Sequence, residues 1–188
     1  MNFYDLYERL VETGTSKPVR VCFVCFGNTD RSPMTEAIAK HLLGGKAIVS
    51  SAGYRPDEGR PISDNSREVM KTMGIDASKH VSRHLTPEII ANNDLVIFLD
   101  KGVAGKFQEI VPKNKLMITP VRNPNKNKTE EYWDAAESIM GIIRRLVVPI
   151  VNRVYTLINT PKSSPLQGPS QPLKSKIPPK PPQSPKNS

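Results

Sequence analysis

Cysteine is scarce in this sequence: of 188 residues, only Cys22 and Cys25 are cysteines, and they lie three positions apart. Two cysteines exclude the disulfide framework of small secreted domains, and they also exclude a four-cysteine zinc site. Thiols three positions apart on an extended strand cannot readily meet, which argues against a redox pair. A reducing, intracellular setting is therefore the expectation.

Long hydrophobic runs are also absent. Asp5, Glu8 and Glu12 lie where the apolar segment of a signal peptide would stand, in a stretch whose spacing predicts an amphipathic helix over 3–12. The most apolar region, 146–158, is too short to span a bilayer and contains Arg153. These patterns predict a cytoplasmic protein.

Acidic and aromatic residues are missing from positions 161–188, which hold nine of the 18 prolines and five lysines. Such a segment buries too little apolar surface to offset its ordering entropy, so we predict a disordered Pro/Lys-rich tail. Without those lysines the net charge falls from +9 to +4, which argues against specific nucleic-acid binding. The predicted organisation is a helical extension and linker at 1–18, one domain at 19–160 that ends in an extended helix, and the tail at 161–188.

The tail also contains Pro-x-x-Pro spacings, at 169–174 and 176–182. Proline-rich segments of this kind favour polyproline II and dock in the aromatic grooves of SH3-like domains. A basic tail without a fixed partner explains the same composition, so both interpretations stay open.

Apolar and helical patterns alternate along 19–160. Val19–Cys25 is a continuous β-branched and apolar run, typical of a strand buried on both faces of a parallel sheet, with Cys22 packed in the core. Further strands are predicted at 47–53, 95–100 and 115–119. Four alternations of strand and helix predict an α/β domain with right-handed crossovers.

The predicted helices have recognisable ends. Ser32 is expected to cap the helix after the first strand, with Pro33 in its first turn, and Gly44 is expected to end it. Further helices are predicted over 62–73, after Thr86, over 103–110 and from Thr129. The last pattern continues past Pro149, so a break is expected near Val148, and its apolar residues either complete the core or form a partner surface.

The segment 25–33, CFGNTDRSP, lies between the buried strand and a helix. Ligands of open parallel sheets bind at the carboxyl ends of strands, and a loop entering a helix there directs its N–H groups at one spot. Gly27 permits close approach to an anion, and Arg31 offers a planar fork matched to a phosphoryl group. These groups would stabilise the thiolate of Cys25, so the segment predicts phosphoryl transfer through a phosphocysteine. A strand cysteine before a helix-capping turn would give similar spacing, but the whole context favours an anion-binding loop.

Several segments resemble the low-molecular-weight protein tyrosine phosphatase family, which includes protein-arginine phosphatases and thioredoxin-linked arsenate reductases. They are VCFVCFGNTDRSPMTE, the SAG at 51–53, HVSRHL at 80–85 and DLVI at 94–97, and the resemblance covers 19–146. It implies a three-layer, phosphatase I-like α/β fold with a four-stranded parallel sheet flanked by helices, and no metal or cofactor. In the implied site, Cys25 is the nucleophile, Ser32 supports the thiolate and Asn28 holds the loop's shape. The implied phosphate-binding residues are Phe26, Gly27, Asn28, Thr29, Asp30 and Arg31.

Two positions depart from the family pattern. The family takes its general acid from an Asp-Pro pair before the last helix, and Asn123-Pro124 stands there instead. An amide has no proton to give at neutral pH, and general acid catalysis is worth about 10²–10⁴-fold. A phenolate, whose pKa is about 10, needs that help on leaving, so we expect weak activity on phosphotyrosine.

The second departure is Asp30, where the family usually has a cysteine. A carboxylate beside a thiolate and a phosphate opposes both charges. Asp30 either points away and pairs with Arg31 or a lysine, or is protonated with substrate and serves as a substitute acid, or rejects phosphate and leaves a binding protein. All three alternatives are open from the sequence.

The predicted function is that of a cysteine-dependent protein phosphatase acting on phosphotyrosine or another phosphorylated side chain, with a phosphorylated protein or a small phosphomonoester as its partner. The threonine at position 29 makes this sequence similar to the protein-arginine phosphatase branch of the family. An arsenate reductase relay needs further downstream cysteines, and none follows Cys25. The alternative is an impaired phosphatase-fold module that binds phosphorylated or anionic partners.

Overall fold

The computed structural model describes residues 17–159, together with Glu8. The helix predicted over 3–12 and the tail predicted over 161–188 lie outside the described residues, so both stay predictions. Four parallel strands form one sheet in the order β2-β1-β3-β4. Their bounds are β1 Val19–Cys25, β2 Ala47–Gly53, β3 Leu95–Phe98 and β4 Leu116–Ile118.

Strand β1 lies inside the sheet and pairs with both β2 and β3, with Val21 opposite Val49 and Leu95. Its side chains alternate between two cores, Phe23 facing one and Val24 the other. Burial on both faces is the reason for the uninterrupted apolar sequence of its last five residues, 21–25, whereas Arg20 is exposed. The strand order reverses at β1, so the loops after β1 and β3 border the crevice where ligands of such sheets bind.

Helices cover both faces of the sheet. One face packs against α1 Arg31–Leu43, α2 Asp64–Thr72, α5 Thr129–Ile142 and α6 Val148–Asn159. The other face packs against the short helices α3 Pro87–Ala91 and α4 Lys101–Gly105. This arrangement confirms the predicted three-layer α/β fold with a four-stranded parallel sheet.

The start of α1 differs from the prediction. The helix begins at Arg31 with Asp30 in the capping position, and Ser32 is already its second residue. Ser32 therefore does not cap the helix, because its hydroxyl is used by the loop beside Cys25. The end agrees with the prediction, since Gly44 adopts φ 54°, a left-handed conformation that glycine favours.

Two other helices are shorter than their patterns predict. Ser63 caps α2 by accepting the Ser66 N–H, so that helix runs over Asp64–Thr72 rather than 62–73. Asp100 caps α4, which ends at Gly105 instead of 110. The strand predicted over 95–100 ends at Phe98, which frees Leu99 and Asp100 to turn towards the crevice.

The long C-terminal helix is interrupted where proline predicts a break. A π-helical turn, Ile143–Val147, separates α5 from α6, and the Val148 N–H bonds to the carbonyl of Ile143. Pro149 supplies no N–H for a regular α-helical bond, so the interruption costs little there. The apolar residues Val147, Ile150, Val151 and Val154 are buried against the sheet and complete the core. No helix among residues 17–159 has the length and apolar character needed to cross a membrane.

Candidate active site at the carboxyl edge of the sheet

The loop between β1 and α1 closes around the sulfur of Cys25. Cys25 Sγ lies 3.0 Å from Ser32 Oγ and accepts the backbone N–H of Asn28 at 3.3 Å. The cysteine is 2% exposed and lines a cavity of about 390 Å³. The lining residues are Cys25, Phe26, Gly27, Thr29, Asp30, Arg31, Asp100 and Asn123. Most of the residues predicted to bind phosphate thus surround one cavity.

The side chain of Asn28 fixes the shape of this loop through hydrogen bonds. It is fully buried and adopts φ 53°, a left-handed conformation that asparagine tolerates better than most residues. Its Nδ2 donates to Ser32 Oγ at 2.8 Å and to Ser51 Oγ at 2.9 Å, and its Oδ1 accepts the Arg83 N–H at 3.0 Å. The side chain therefore joins the loop to α1, to β2 and to the segment after α2.

A second layer of polar residues lies behind Asn28. Ser51 Oγ donates to Glu36 Oε2 at 2.6 Å, and His80 Nε2 lies 2.7 Å from the carbonyl of Asn28. His80 Nδ1 lies 4.0 Å from the same Glu36 oxygen, which closes a ring of polar groups under the loop. The sequence pattern marked the segments of Ser51 and His80 only as landmarks. Glu36, at a helical position, carried no signal of a site.

The guanidinium of Arg31 makes its hydrogen bonds through a single nitrogen, Nη1. Its Nη1 donates to Asp100 Oδ2 at 3.1 Å, to Val121 O at 3.3 Å and to Leu99 O at 3.4 Å. Its Nε is buried and has no hydrogen-bond partner among the described residues. A buried donor without an acceptor costs free energy, and an anion in the cavity that Arg31 lines would supply the acceptor.

Asp100 is a site residue that sequence reasoning missed. It ends the apolar run of β3, and its Oδ1 accepts the N–H of Val103 at 3.0 Å. The hydrogen bond from Val103 lowers the pKa of this carboxyl most, and the Arg31 guanidinium lowers it further. Partial burial acts in the opposite direction, but the pKa stays below its usual value. A polar residue that follows a buried strand near the switch point of the sheet was the available signal.

Asp30 lies against the start of α2. Its Oδ1 accepts hydrogen bonds from Ser63 Oγ and from Ser66 Oγ, the latter at 3.1 Å, and its Oδ2 accepts from Thr29 Oγ1 at 3.1 Å. One alternative was that Asp30 pairs with Arg31 or a lysine. The structure shows different partners, because the carboxylate accepts hydrogen bonds from three hydroxyl groups instead. Burial, followed by the charge of Asp30, raises the pKa of the neighbouring Tyr132.

Asn123 also lines the cavity and is exposed. Its loop is held by Glu131, whose Oε2 accepts the Asn125 N–H at 3.0 Å and whose Oε1 lies 3.9 Å from Arg122 and 3.8 Å from Lys128. The structure therefore brings an amide, not a carboxyl, to the position where the family pattern places an acid.

An aromatic group borders the cavity. Phe26 is 50% exposed and packs edge-on against Tyr54 at a ring distance of 5.9 Å. The guanidinium of Arg55 lies 5.1 Å from the centre of the Tyr54 ring. An exposed aromatic ring at this cavity offers an apolar surface to a bound molecule.

The family described as low molecular weight phosphotyrosine protein phosphatase matches residues 20–159. The chain belongs to this family. Membership agrees with the geometry, because the cysteine, the loop and the arginine lie together as the resemblance implies. The predicted family is thereby confirmed, and a cysteine-dependent enzyme of the phosphatase or arsenate reductase kind is supported.

Individual members of the family differ in their reactions. A probable low molecular weight protein-tyrosine-phosphatase, EpsP, of Ralstonia nicotianae is 36% identical over 92 residues, 49% of this chain but only 63% of that protein. An arsenate reductase of Bacillus licheniformis is 36% identical over 115 residues, 60% of this chain and 81% of that protein. The solved YwlE arginine phosphatase from Geobacillus stearothermophilus is 28% identical, with a TM-score of 0.67 over 76% of this chain and 98% of that one. These three similarities agree on the fold and leave the reaction open.

Proposed function

We propose that this protein is a cysteine-dependent phosphatase that works through a phosphocysteine, with a phosphorylated protein or a small phosphomonoester as substrate. The observation that carries the proposal is the pairing of Cys25 with Arg31 in one cavity. The sulfur accepts the Asn28 N–H and contacts the Ser32 hydroxyl, and the buried Nε of Arg31 lacks an acceptor. A bound phosphoryl group satisfies that Nε and lies in front of the nucleophile.

The reaction has two displacements at phosphorus. The Cys25 thiolate attacks, the S–P bond forms, and the bond to the leaving group breaks with its electron pair on the leaving atom. Water then attacks the phosphocysteine, the S–P bond breaks, and inorganic phosphate and the thiolate are released together with a proton. Ser32 and the Asn28 N–H stabilise the thiolate in both steps, and Arg31 balances the charge of the transferring group.

Arsenate reduction is supported less well. It requires electrons from a second thiol, and Cys22 is the only other cysteine in the chain. Cys22 is fully buried within β1, and burial raises the pKa of its thiol to about 11. A thiol in that state is a poor nucleophile, so it does not serve as a resolving group.

A phosphoarginine substrate has one supporting observation. Thr29, the residue that resembles the arginine phosphatase branch, lines the cavity and donates its hydroxyl to Asp30. A binding module that lacks turnover is the second candidate, and Asn123 supports it because the amide cannot protonate a leaving group.

Hydrolysis of p-nitrophenyl phosphate tests the proposal, because its phenolate leaves without a proton. Wild type and Cys22→Ala should turn it over, and Cys25→Ser should not. Cys22→Ala is the matched control, since it removes the thiol that does not line the cavity. Absence of turnover in wild type, with vanadate still bound, would refute the phosphatase and support the binding module.

A further inference from the structure

The proton donors available to a departing group are few. Among the described residues that line the cavity, the ionisable side chains are Cys25, Asp30, Arg31 and Asp100. Cys25 is the proposed nucleophile, and an arginine does not give up a proton at neutral pH. A proton for the leaving group would therefore have to come from Asp30 or Asp100.

Asp100 is arranged as an acceptor. One oxygen takes the Val103 N–H at 3.0 Å, and the other pairs with Arg31 Nη1 at 3.1 Å. Its lowered pKa agrees with this arrangement. A carboxylate that holds the phosphate-binding arginine in place cannot at the same time protonate the substrate.

Asp30 is engaged on the side of α2. Ser63 and Ser66 donate to one oxygen, and Thr29 donates to the other. Turning this carboxyl towards the substrate would break three hydrogen bonds, one of them from the fully buried Ser66. The geometry therefore argues against Asp30 as a substitute acid.

The loop that carries Asn123 provides no acid either. Positions 120–129 contain no Asp or Glu. Glu131, the next acidic residue after Glu130, is bound to the backbone of Asn125 and lies near two basic side chains. The hydrogen bond from Asn125 and the two nearby cations lower the pKa of this carboxyl, so it is held as a carboxylate with no proton for the cavity.

Leaving groups respond very differently to a missing acid. A phenolate has a conjugate acid of pKa about 10, whereas a carboxylate has one of about 4. The first needs a proton as the bond to phosphorus breaks, and the second leaves readily as an anion. A cavity without a donor therefore selects for substrates whose leaving group is a weak base.

We propose, on the basis of the phosphatase function proposed above, that the substrate of this cavity is an acyl phosphate, the mixed anhydride of a carboxyl group and phosphate. Cys25 forms the S–P bond, the P–O bond to the carboxyl group breaks, and the carboxylate leaves with the electron pair and without a proton. Water then cleaves the S–P bond, releasing phosphate and one proton. This first displacement requires only groups that the cavity contains.

Benzoyl phosphate and phenyl phosphate test the proposal, because both carry one benzene ring but their leaving groups differ by about six pKa units. Wild-type kcat/KM, corrected for spontaneous hydrolysis with Cys25→Ser, should favour benzoyl phosphate by at least about 10²-fold. Asn123→Asp should narrow that ratio by about tenfold or more, since it places a carboxyl on the cavity wall. Asn125→Asp is the matched control: it adds the same charge to the same loop outside the cavity and should narrow the ratio by less than about threefold.

Each other outcome has a definite meaning. Similar turnover of both substrates by wild type would overturn the acyl phosphate assignment and leave the phosphatase intact, because a donor would then be present. The acyl phosphate assignment would also be overturned if Asn123→Asp narrowed the kcat/KM ratio of the two substrates no more than Asn125→Asp did. The missing acid would then not be the cause of the preference for benzoyl phosphate. No Cys25-dependent turnover of benzoyl phosphate, phenyl phosphate or p-nitrophenyl phosphate would refute the phosphatase function itself.

Discussion

Gly53 lies where β2 ends against the loop 25–31, and a β-carbon there would crowd that loop. A β-carbon at this position would lie 3.0 Å from Asn28 Cβ, 3.0 Å from Phe26 O and 3.2 Å from Asn28 N. These neighbours are backbone atoms and the β-carbon of a fully buried residue, so none can swing aside. Gly53→Ala therefore requires the loop to shift by a few tenths of an ångström.

The expected cost follows from two opposing effects. Overpacking a close-packed interior costs about 1–3 kcal/mol. Replacing glycine lowers the entropy of the unfolded chain and returns about 0.4–1 kcal/mol. These ranges leave a net loss of about 0–2.6 kcal/mol in the free energy of unfolding, and the midpoint of about 1.3 kcal/mol corresponds to a Tm lower by roughly 3–5 °C for a chain of this size.

Turnover should be more sensitive than stability. The Asn28 N–H that contacts Cys25 Sγ at 3.3 Å belongs to the displaced loop. Misplacing catalytic groups by about 1 Å can cost about 10²-fold, so for a shift of a few tenths of an ångström we expect a loss of about two- to fivefold on p-nitrophenyl phosphate. Thermal unfolding tests the packing argument even if the enzyme has another substrate.

Gly105→Ala is the matched control. Gly105 ends α4, has an ordinary φ, and nothing lies within 4 Å of a β-carbon built there. This variant should gain about 0.4–1 kcal/mol of stability. A Gly53→Ala protein with the Tm and turnover of wild type would refute the close-contact reasoning.

Three further predictions concern single side chains. Burial raises the pKa of the Cys22 thiol to about 11, so iodoacetamide at neutral pH should label Cys25 at least about tenfold faster than Cys22, and equal labelling by mass spectrometry would contradict this. Asn28→Gly should be about 1 kcal/mol more stable than Asn28→Ala, because φ is 53° there; identical urea midpoints would argue against it. The Val103 N–H lowers the pKa of Asp100, so its stabilisation is present above the unfolded value of about 3.9 and is lost as pH falls through the lower folded value. The stability difference between wild type and Asp100→Asn should therefore shrink below about pH 4, and a difference that grows there would contradict the assignment.

Local patterns predicted much of the architecture. The apolar run of β1, the glycine that ends α1 and the proline near the π-helical turn each act on neighbouring residues, so their effects are visible in the sequence. The loop 25–31 is equally local: nucleophile, backbone N–H groups and Arg31 follow one another between a strand and a helix. Its order alone predicted an anion-binding site, which stays a prediction, while the family resemblance that this loop carries is confirmed.

Helix lengths were predicted less well, for a physical reason. The start of α2 depends on the Ser63 cap, and α4 starts one residue after Asp100. Ser32 had the right residue type for a cap, but the neighbouring sulfur and Asn28 engage its hydroxyl more directly. Hydrogen-bond competition of this kind is settled by neighbours in space.

The amino-acid sequence by itself determined the parallel α/β fold, the cysteine proposed as nucleophile and the absence of an acid at position 123. Only the tertiary structure decided which groups Asp30 and Arg31 contact. Arg31 meets Asp100 across 69 positions, and Asp30 meets Ser63 across 33. These contacts arise because the strand order brings the ends of β1 and β3 together and α2 returns over the loop. Whether a carboxylate donates a proton, accepts hydrogen bonds or takes no part depends on partners that are far away in the sequence. No local pattern could therefore assign that role.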